Sequence, residues 1–431
     1  MKRVLFIIFG VICHFSVQAQ WTLDECQALA RENYPLIKQF GLIEQATDYS
    51  VANATKVYLP QVSFSALATY QSDVAAFPDQ MLKMYEQIGL DMKGLNKDQY
   101  RATLEVNQTI WDGGITRARI ASLQAENKVS TQAVETEIYT VRERVNRLYF
   151  GILILHEQLR QNKILQELLH SNYQLVDAYI ANGIATNNDL NVIKAEQLTV
   201  SQQYIQIESV ATAYRNMLSV MIGRPIEDAA TFIKPIATSN NSSAINQLNN
   251  RPEWHLFEAQ SAQYETQRQS IIASTMPRLG LFAQGFYGNP GLNLFKDMTE
   301  GKWTWNYIAG VRLQWNFGNF YTKKGDLRKL TLANQQVDIR RDVFRYHNDI
   351  QQIQQYHAID NMRKMMTDDD EIIRLRTAIR LSSEAKYENG TITVNELLKD
   401  ITSESQALLG KALHELDWIM NIYELKNTIN N

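Results

Sequence analysis

The residues that could carry chemistry are scattered. The seven histidines, His14, His156, His170, His255, His347, His357 and His414, form no HExxH pair and join no cysteine cluster, so no metal-ligand set is offered. There is no GxSxG elbow and no phosphate-binding loop. Trp111-Asp112-Gly113-Gly114 resembles a nucleotide turn, but it ends a strand pattern and begins a helix pattern, where glycines serve the junction. Asp368-Asp369-Asp370 could hold a cation only if its carboxylates converged. Adjacent positions on a helix point in different directions, so this run reads as a solvated face. No catalytic, cofactor-binding or metal-binding residue is assigned, no cofactor is expected, and the chain is not read as an enzyme.

Two segments stand apart. Asn182 to Leu190 reads NGIATNNDL, and Asn389 to Leu397 reads NGTITVNEL. In each, Asn-Gly stops one helix and Thr or Asn starts the next, the turn of a helical hairpin. Asp189 and Glu396 fall at matching places in the first turn of the second helix, where an acid complements the helix dipole.

The helices that carry these turns must be long. Ile115 to Asn182 contains no proline and one glycine, and Asp326 to Asn389 contains neither. Helices of about 65 residues would extend about 100 Å, a length that calls for a coiled coil or a helical barrel. Ile138, Val141, Val145, Leu148, Ile152, Leu155 and Leu159, then Leu169, Tyr173, Val176 and Ile180, alternate steps of three and four, with Asn162 and Gln166 filling two polar places in the seam. Shorter helices are expected over about 23–57, 188–222, 252–275 and 394–426, with Gly223 and Pro225 as a stop.

Four strands are expected, over about 62–70, 102–111, 279–287 and 305–317. The last is clearest. Trp305, Tyr307, Ala309, Val311, Leu313, Trp315 and Phe317 fall on one face, and Asn306, Ile308, Gly310, Arg312, Gln314 and Asn316 on the other. A soluble β-sandwich would show the same alternation. Four strands cannot close a barrel, however, and an open edge cannot persist in hydrocarbon. If the apolar face meets lipid, other copies of the chain must complete the sheet. Trp305, Tyr307, Val311, Leu313, Trp315 and Phe317 are then the lipid-facing and girdle residues.

The amino terminus pairs Lys2 and Arg3 with an apolar run to about Val17, followed by Val17-Gln18-Ala19. Residues 1–19 therefore read as a signal peptide, cut after Ala19. Ile12 before Cys13 disfavours lipidation, and Cys26 alone can form no internal disulfide. Downstream there is no uninterrupted apolar stretch of about 18 residues, hence no expected transmembrane helix. A net charge of −3 gives no cationic field for nucleic acid.

The chain also repeats itself. YLPQVSFSA from Tyr58 matches TMPRLGLFA from Thr275, with Pro60 over Pro277. QTIWDGGITR from Gln108 matches QWNFGNFYTK from Gln314, and the two hairpin turns match each other. Residues 20–235 and 251–431 are expected as two structural repeats of helix–strand–strand–long helix–tip–helix, joined by the Ser/Asn-rich linker 236–250. Together they would form one folded unit.

With these motifs in this order the chain resembles the TolC-like outer-membrane efflux protein family. The resemblance rests on WTLDECQALARENYPLI, YLPQVSFS, QTIWDGG, ANGIATNNDL, MIGRP, NRPEW, MPRLGLFAQ and YENGTITVNELL. It implies a mostly α fold with a small membrane β part. Three chains would form a 12-stranded β-barrel in the bacterial outer membrane, continued by a periplasmic α-helical barrel. The implied function is a passive exit duct for small molecules, working with a periplasmic adaptor protein and an inner-membrane transporter. The resemblance also makes Gly183, Thr186, Asp189 and Leu190, then Gly390, Thr393, Glu396 and Leu397, the periplasmic tip and adaptor contacts. Asp189 and Glu396 would charge the aperture. Lys399 stands where some members carry a second acid. The exit duct of a one-step protein secretion system, and an exported coiled-coil structural protein, are the competing readings.

Overall fold

The computed structural model describes residues 20–92, 94–181, 183, 185–236 and 250–430. The expected signal peptide and most of the expected linker lie outside the described residues. Strand β1 (Gln20–Trp21) leads into helix α1 (Leu23–Asn33), whose N-cap Thr22 accepts the Glu25 amide at 3.3 Å. Tyr34 then turns extended ahead of Pro35, because the proline ring disfavours helical geometry in the residue before it. A 3-10 turn, Pro35–Lys38, precedes helix α2 (Gln39–Thr55). The single helix expected over 23–57 is therefore broken at this proline.

The chain continues through β2 (Gln61–Tyr70), α3 (Asp79–Gln87), β3 (Asp98–Trp111), α4 (Ile115–Ala181), α5 (Asn187–Ile222) and β4 (Thr231–Phe232). Then follow α6 (Pro252–Ser274), β5 (Arg278–Asn289), α7 (Leu294–Glu300), β6 (Thr304–Gln314), α8 (Asn319–Glu388) and α9 (Val394–Ile429). Helices α4 and α8 have 67 and 70 residues, so each runs about 100 Å. None of the described helices is long and apolar enough to cross a membrane.

The chain divides into two compact units. The first comprises Met1–Gln39, Ala133–His255 and Arg341–Asn431. Its larger core gathers Trp21, Leu23 and Cys26, then Val145, Tyr149, Phe150 and Ile152 of α4, Leu218 and Ile222 of α5, Phe232, and Ile419 of α9. The Tyr149 hydroxyl lies between the carbonyls of Trp21 and Ile233, at 2.7 and 2.6 Å. It thereby pins the parallel pair β1–β4, which two-residue strands could not announce by periodicity. A second core joins Leu165, Leu169 and Val176 to Ile193, Val200, Tyr387, Leu397 and Ile401. The polar places in the heptad seam are satisfied: Asn162 Nδ2 donates to the Val200 carbonyl at 3.1 Å, and Gln166 Nε2 to Asn162 Oδ1 at 2.7 Å.

Helices α8 and α9 run antiparallel in this unit. Arg380 bridges Glu384 and Glu404, the Ser383 hydroxyl donates to Asp400 at 2.6 Å, and Lys411 meets Asp370. Asp369 is buried against His414 Nδ1 at 3.0 Å. This corrects the reading of Asp368-Asp369-Asp370 as uniformly solvated. Adjacent residues on α8 diverge, so the middle acid alone turns fully into the helix pair.

The second unit comprises Phe40–Gln132 and Leu256–Arg340. Its four strands form one antiparallel sheet in the order β2-β3-β5-β6. The clearest expected strand is shorter than its alternation. β6 stops at Gln314, and Trp315 and Phe317 lie in the turn before α8. There the Asn316 side chain accepts the Gly318 amide at 3.0 Å, and the Trp315 indole donates to the Thr275 carbonyl at 3.0 Å. Strands β3 and β5 exceed their expected bounds because they pair along the middle of the sheet. The connections β2–β3 and β5–β6, expected as loops, contain α3 and α7.

Candidate functional site

The sheet has two unlike faces. In an antiparallel ladder, residues paired across strands point the same way, so the register assigns every position. One face presents Val62, Phe64, Ala66 and Ala68 of β2, with Ala102, Leu104 and Val106 of β3. Leu279, Leu281, Ala283 and Tyr287 of β5 join Trp305, Tyr307, Ala309, Val311 and Leu313 of β6 on the same side. Polar residues reach it only at Asp98, Gln108 and Asn289, towards the strand ends. Within this chain the face is uncovered: Phe64 is 71% exposed, Tyr307 81% and Val311 66%. An uncovered apolar face of this extent marks an interaction surface.

The opposite face carries Gln61, Ser63, Ser65 and Thr69, then Gln99, Arg101, Thr103, Glu105, Asn107 and Thr109. Arg278, Gln284, Thr304, Asn306, Arg312 and Gln314 also lie on it, with the apolar Leu67 and Ile308 among them. Phe282 and Phe286 also lie here, beneath the guanidinium groups of Arg312 and Arg101 at 4.7 and 4.4 Å. Gly310, opposite Phe282, leaves room for the ring; a Cβ there would meet it at 3.1 Å. These two phenylalanines on the polar face explain why 279–287 read as a weak, mixed strand. Their place, like the lining role of Arg101, becomes visible only with the register.

Aromatic side chains gather at both ends of the sheet. Tyr287 packs against Trp303 and Trp305, with ring centroids 5.3 and 5.1 Å away, and Tyr100 stacks on Trp303. At the other end Trp315 meets Phe317 at 4.8 Å. Trp315 and Phe317 lie at this end of the sheet in a turn, not in the strand expected to hold them. The strand-to-helix junction there is fixed by Asp112. Its carboxylate accepts the Tyr58 hydroxyl at 3.0 Å and the amides of Gly114 and Thr116 at 2.9 and 2.7 Å. Burial pushes the acid up, but these hydrogen bonds outweigh it and hold the group below its ordinary value.

The helical turns belong to the first unit. In the second turn Gly390 has φ +68°, and its amide donates to the Tyr387 carbonyl at 2.9 Å, while the Thr391 amide reaches back to Lys386 at 2.9 Å. Gly183 has φ +72° in the first turn; Asn182 lies outside the described residues. Both glycines are needed for the left-handed backbone rather than for space, since nothing stands within 4 Å of an added Cβ. Helices α5 and α9 then open with full capping boxes. Thr186 and Thr393 accept the amides of Asp189 and Glu396 at 3.3 Å, and the two carboxylates accept the threonine amides at 2.9 and 2.8 Å.

Glu396 is exposed. The backbone and side-chain hydrogen bonds from Thr393, then the nearby charge of Lys399, hold its carboxyl below the ordinary value. Leu397 is fully enclosed in the core below the turn, and Leu190 is half-buried against it. Of the expected tip residues, Gly183, Thr186, Gly390, Thr393, Glu396 and Lys399 are exposed, and Asp189 is half-exposed. Among the described residues no His, Cys, Asp and Glu cluster could hold a metal ion.

A four-stranded sheet with one uncovered apolar face, joined to helices of this length, is a fold shared with solved outer-membrane channels. The chain matches the channel OprN with a TM-score of 0.66 at 13% identity, covering 94% of this chain and 89% of that one. It matches VceC of Vibrio cholerae with a TM-score of 0.64 at 14% identity, covering 94% of each. It matches the open state of the MtrE outer-membrane channel of Neisseria gonorrhoeae with a TM-score of 0.63 at 14% identity, covering 95% and 89%. A family model described as outer membrane efflux protein matches residues 27–224. The chain therefore resembles the TolC-like outer-membrane efflux family in fold throughout and in sequence over that stretch. The search of curated proteins returns no match.

Proposed function

We propose that this chain is one protomer of a trimeric exit duct in the bacterial outer membrane, through which small molecules leave passively. Three copies of the sheet complete a 12-stranded barrel. The apolar face meets lipid, and the face with Arg101, Arg278 and Arg312 lines the water-filled interior. The long helices continue the duct as an α-helical barrel in the periplasm. Residues 20–235 and 251–431 act as two structural repeats, each contributing a strand pair and a helical turn. The turns around Gly183, Thr186, Asp189 and Leu190, and around Gly390, Thr393, Glu396 and Leu397, meet a periplasmic adaptor protein. An inner-membrane transporter supplies the energy.

The observation that carries this reading is the sheet itself. It exposes an apolar face in every strand, and both β2 and β6 end it with unpaired edges. Hydrocarbon tolerates the face but not the edges. β6 has 11 residues, enough to cross a bilayer at the tilt of barrel strands, which takes about 9–11. Helix α8 adds an uncovered apolar stripe of Ile339, Val343, Tyr346, Ile350 and Ile353, as expected of a helix awaiting neighbours. The likeness in fold to the outer-membrane channels OprN and MtrE supports the same reading.

The mass of the purified protein in detergent, with the detergent contribution subtracted, tests it. Three chains are expected. A stable monomer with its full β-content would overturn the proposal.

A further inference from the structure

The polar face of the sheet holds a feature that an exit duct does not require. Beside the junction with α4 there is a cavity of about 310 Å³, bordered by Asn107, Thr109, Asp112, Arg278, Arg312 and Gln314. That volume is at the small end of ligand pockets. Arg278 pairs with Gln314 across the ladder, and Arg312 with Gly280. The two arginines are diagonal neighbours on one face, about 7–8 Å apart near their Cβ atoms, so both forks can converge on one ligand. Gly280 supplies no side chain between them.

Among the described residues neither guanidinium is paired with a carboxylate; Arg312 instead lies on the Phe282 ring at 4.7 Å. That contact holds the guanidinium over the ring and leaves its N–H groups available to a ligand. Asp112, the one acid in the wall, already accepts three hydrogen bonds from Tyr58, Gly114 and Thr116. Glu105 is further along the same face and accepts from Asn107 Nδ2 at 3.0 Å. With Arg101, the polar face carries three arginines against this single strand acid.

We propose that Arg278 and Arg312 form an anion-binding subsite on the wall of the duct, which takes solutes bearing carboxylate or other oxyanion groups. The inference rests on the channel reading above, because only there does this face line an interior. Paired forks bind planar oxyanions in two-point fashion. Rings of arginine inside a pore favour anions over cations, and closing the sheet with further copies multiplies the pair around one axis. The side chains of Asn107, Thr109 and Gln314 supply further donors to the bound group.

Block of single channels by citrate in a planar bilayer tests the proposal, comparing wild type with the double variant Arg278→Gln, Arg312→Gln. Citrate is expected to block the wild type. The double variant should require at least about tenfold more citrate, and Arg312→Lys should fall between them, because it keeps the charge but loses the fork. If the double variant does not insert, the same comparison with Arg278→Gln and Arg312→Gln singly decides, each expected to weaken block. Conducting channels that citrate does not block, or blocks equally in wild type and variants, would overturn the subsite and leave the duct intact. A wild type that forms no channel would overturn the duct itself.

Discussion

At the scale of single residues, the sheet distinguishes neighbours by a direction alone. Leu104 lies near the middle of β3, with Phe64 opposite it on β2 and Gly285 on β5. If the apolar face meets lipid, Leu104→Arg should impair insertion by about 2–4 kcal/mol, the range for an arginine near the bilayer midplane. Val311→Arg, nearer the strand end, should cost less. Gln314→Arg, on the other face, should insert normally and change conductance instead. Yield of heat-resistant, membrane-inserted protein measures the first effect, and single-channel recording the second. Equal tolerance on both faces would contradict the orientation. Glu396 behaves differently because its partner is local: its exposed carboxylate is held by Thr393, within its own turn. Its folded value is depressed below 4.5, so its contribution is present above that pH and is lost as pH falls through the folded value. Amide exchange at the α9 terminus should therefore be faster in Glu396→Gln than in wild type at neutral pH. The difference should vanish in acid.

At the scale of elements, the two turns are matched capping devices on matched helices. Replacing Thr186 or Thr393 by Ala removes the cap acceptor and should loosen the first turn of α5 or α9 by about 1 kcal/mol. Exchange protection of the Asp189 and Glu396 amides would report it. These turns were legible in the sequence because Gly, Thr and an acid follow one another at steps of three residues. The long helices were legible for a similar reason: the heptad seam from Ile138 to Ile180 needs only local periodicity. What was hidden depends on partners far along the chain. The break at Pro35 sits amid helix-favouring neighbours and acts through the single residue before it. The pair β1–β4 is set by Tyr149, well over a hundred residues from Trp21. The end of β6 is set by Thr275 and Asn316 rather than by the alternation, which runs on to Phe317. The composition of the polar wall is likewise a product of register, so Arg101, Phe282 and Phe286 could not be placed from their own strands.

At the scale of the whole molecule, the proposed duct would bring charges of opposite sign into one path. Glu396 and Asp189 gather at the helical turns of each copy, and the arginines gather on the polar face of each sheet. A ring of Glu396 at a narrow aperture should attract cations and repel anions. If it does, Glu396→Gln should lower cation preference in reversal potentials measured under a salt gradient, and Lys399→Ala should move it the opposite way. No shift in Glu396→Gln would remove Glu396 from the aperture. Because a capping role predicts faster amide exchange in Glu396→Gln but no change in ion selectivity, the two measurements on one variant separate the roles.

The unpaired edges of β2 and β6 have a consequence for inheritance. An edge that joins a different edge on the next copy makes a head-to-tail interface, and such a ring closes only when every member contributes both. If copies close the proposed ring in this way, one with a sound β2 and a ruined β6 would still be recruited by a healthy neighbour and would leave the ring open. Defective β6 alleles expressed beside the intact gene should therefore be dominant-negative, removing more activity than their share of the protein, whereas alleles that prevent folding altogether should be recessive.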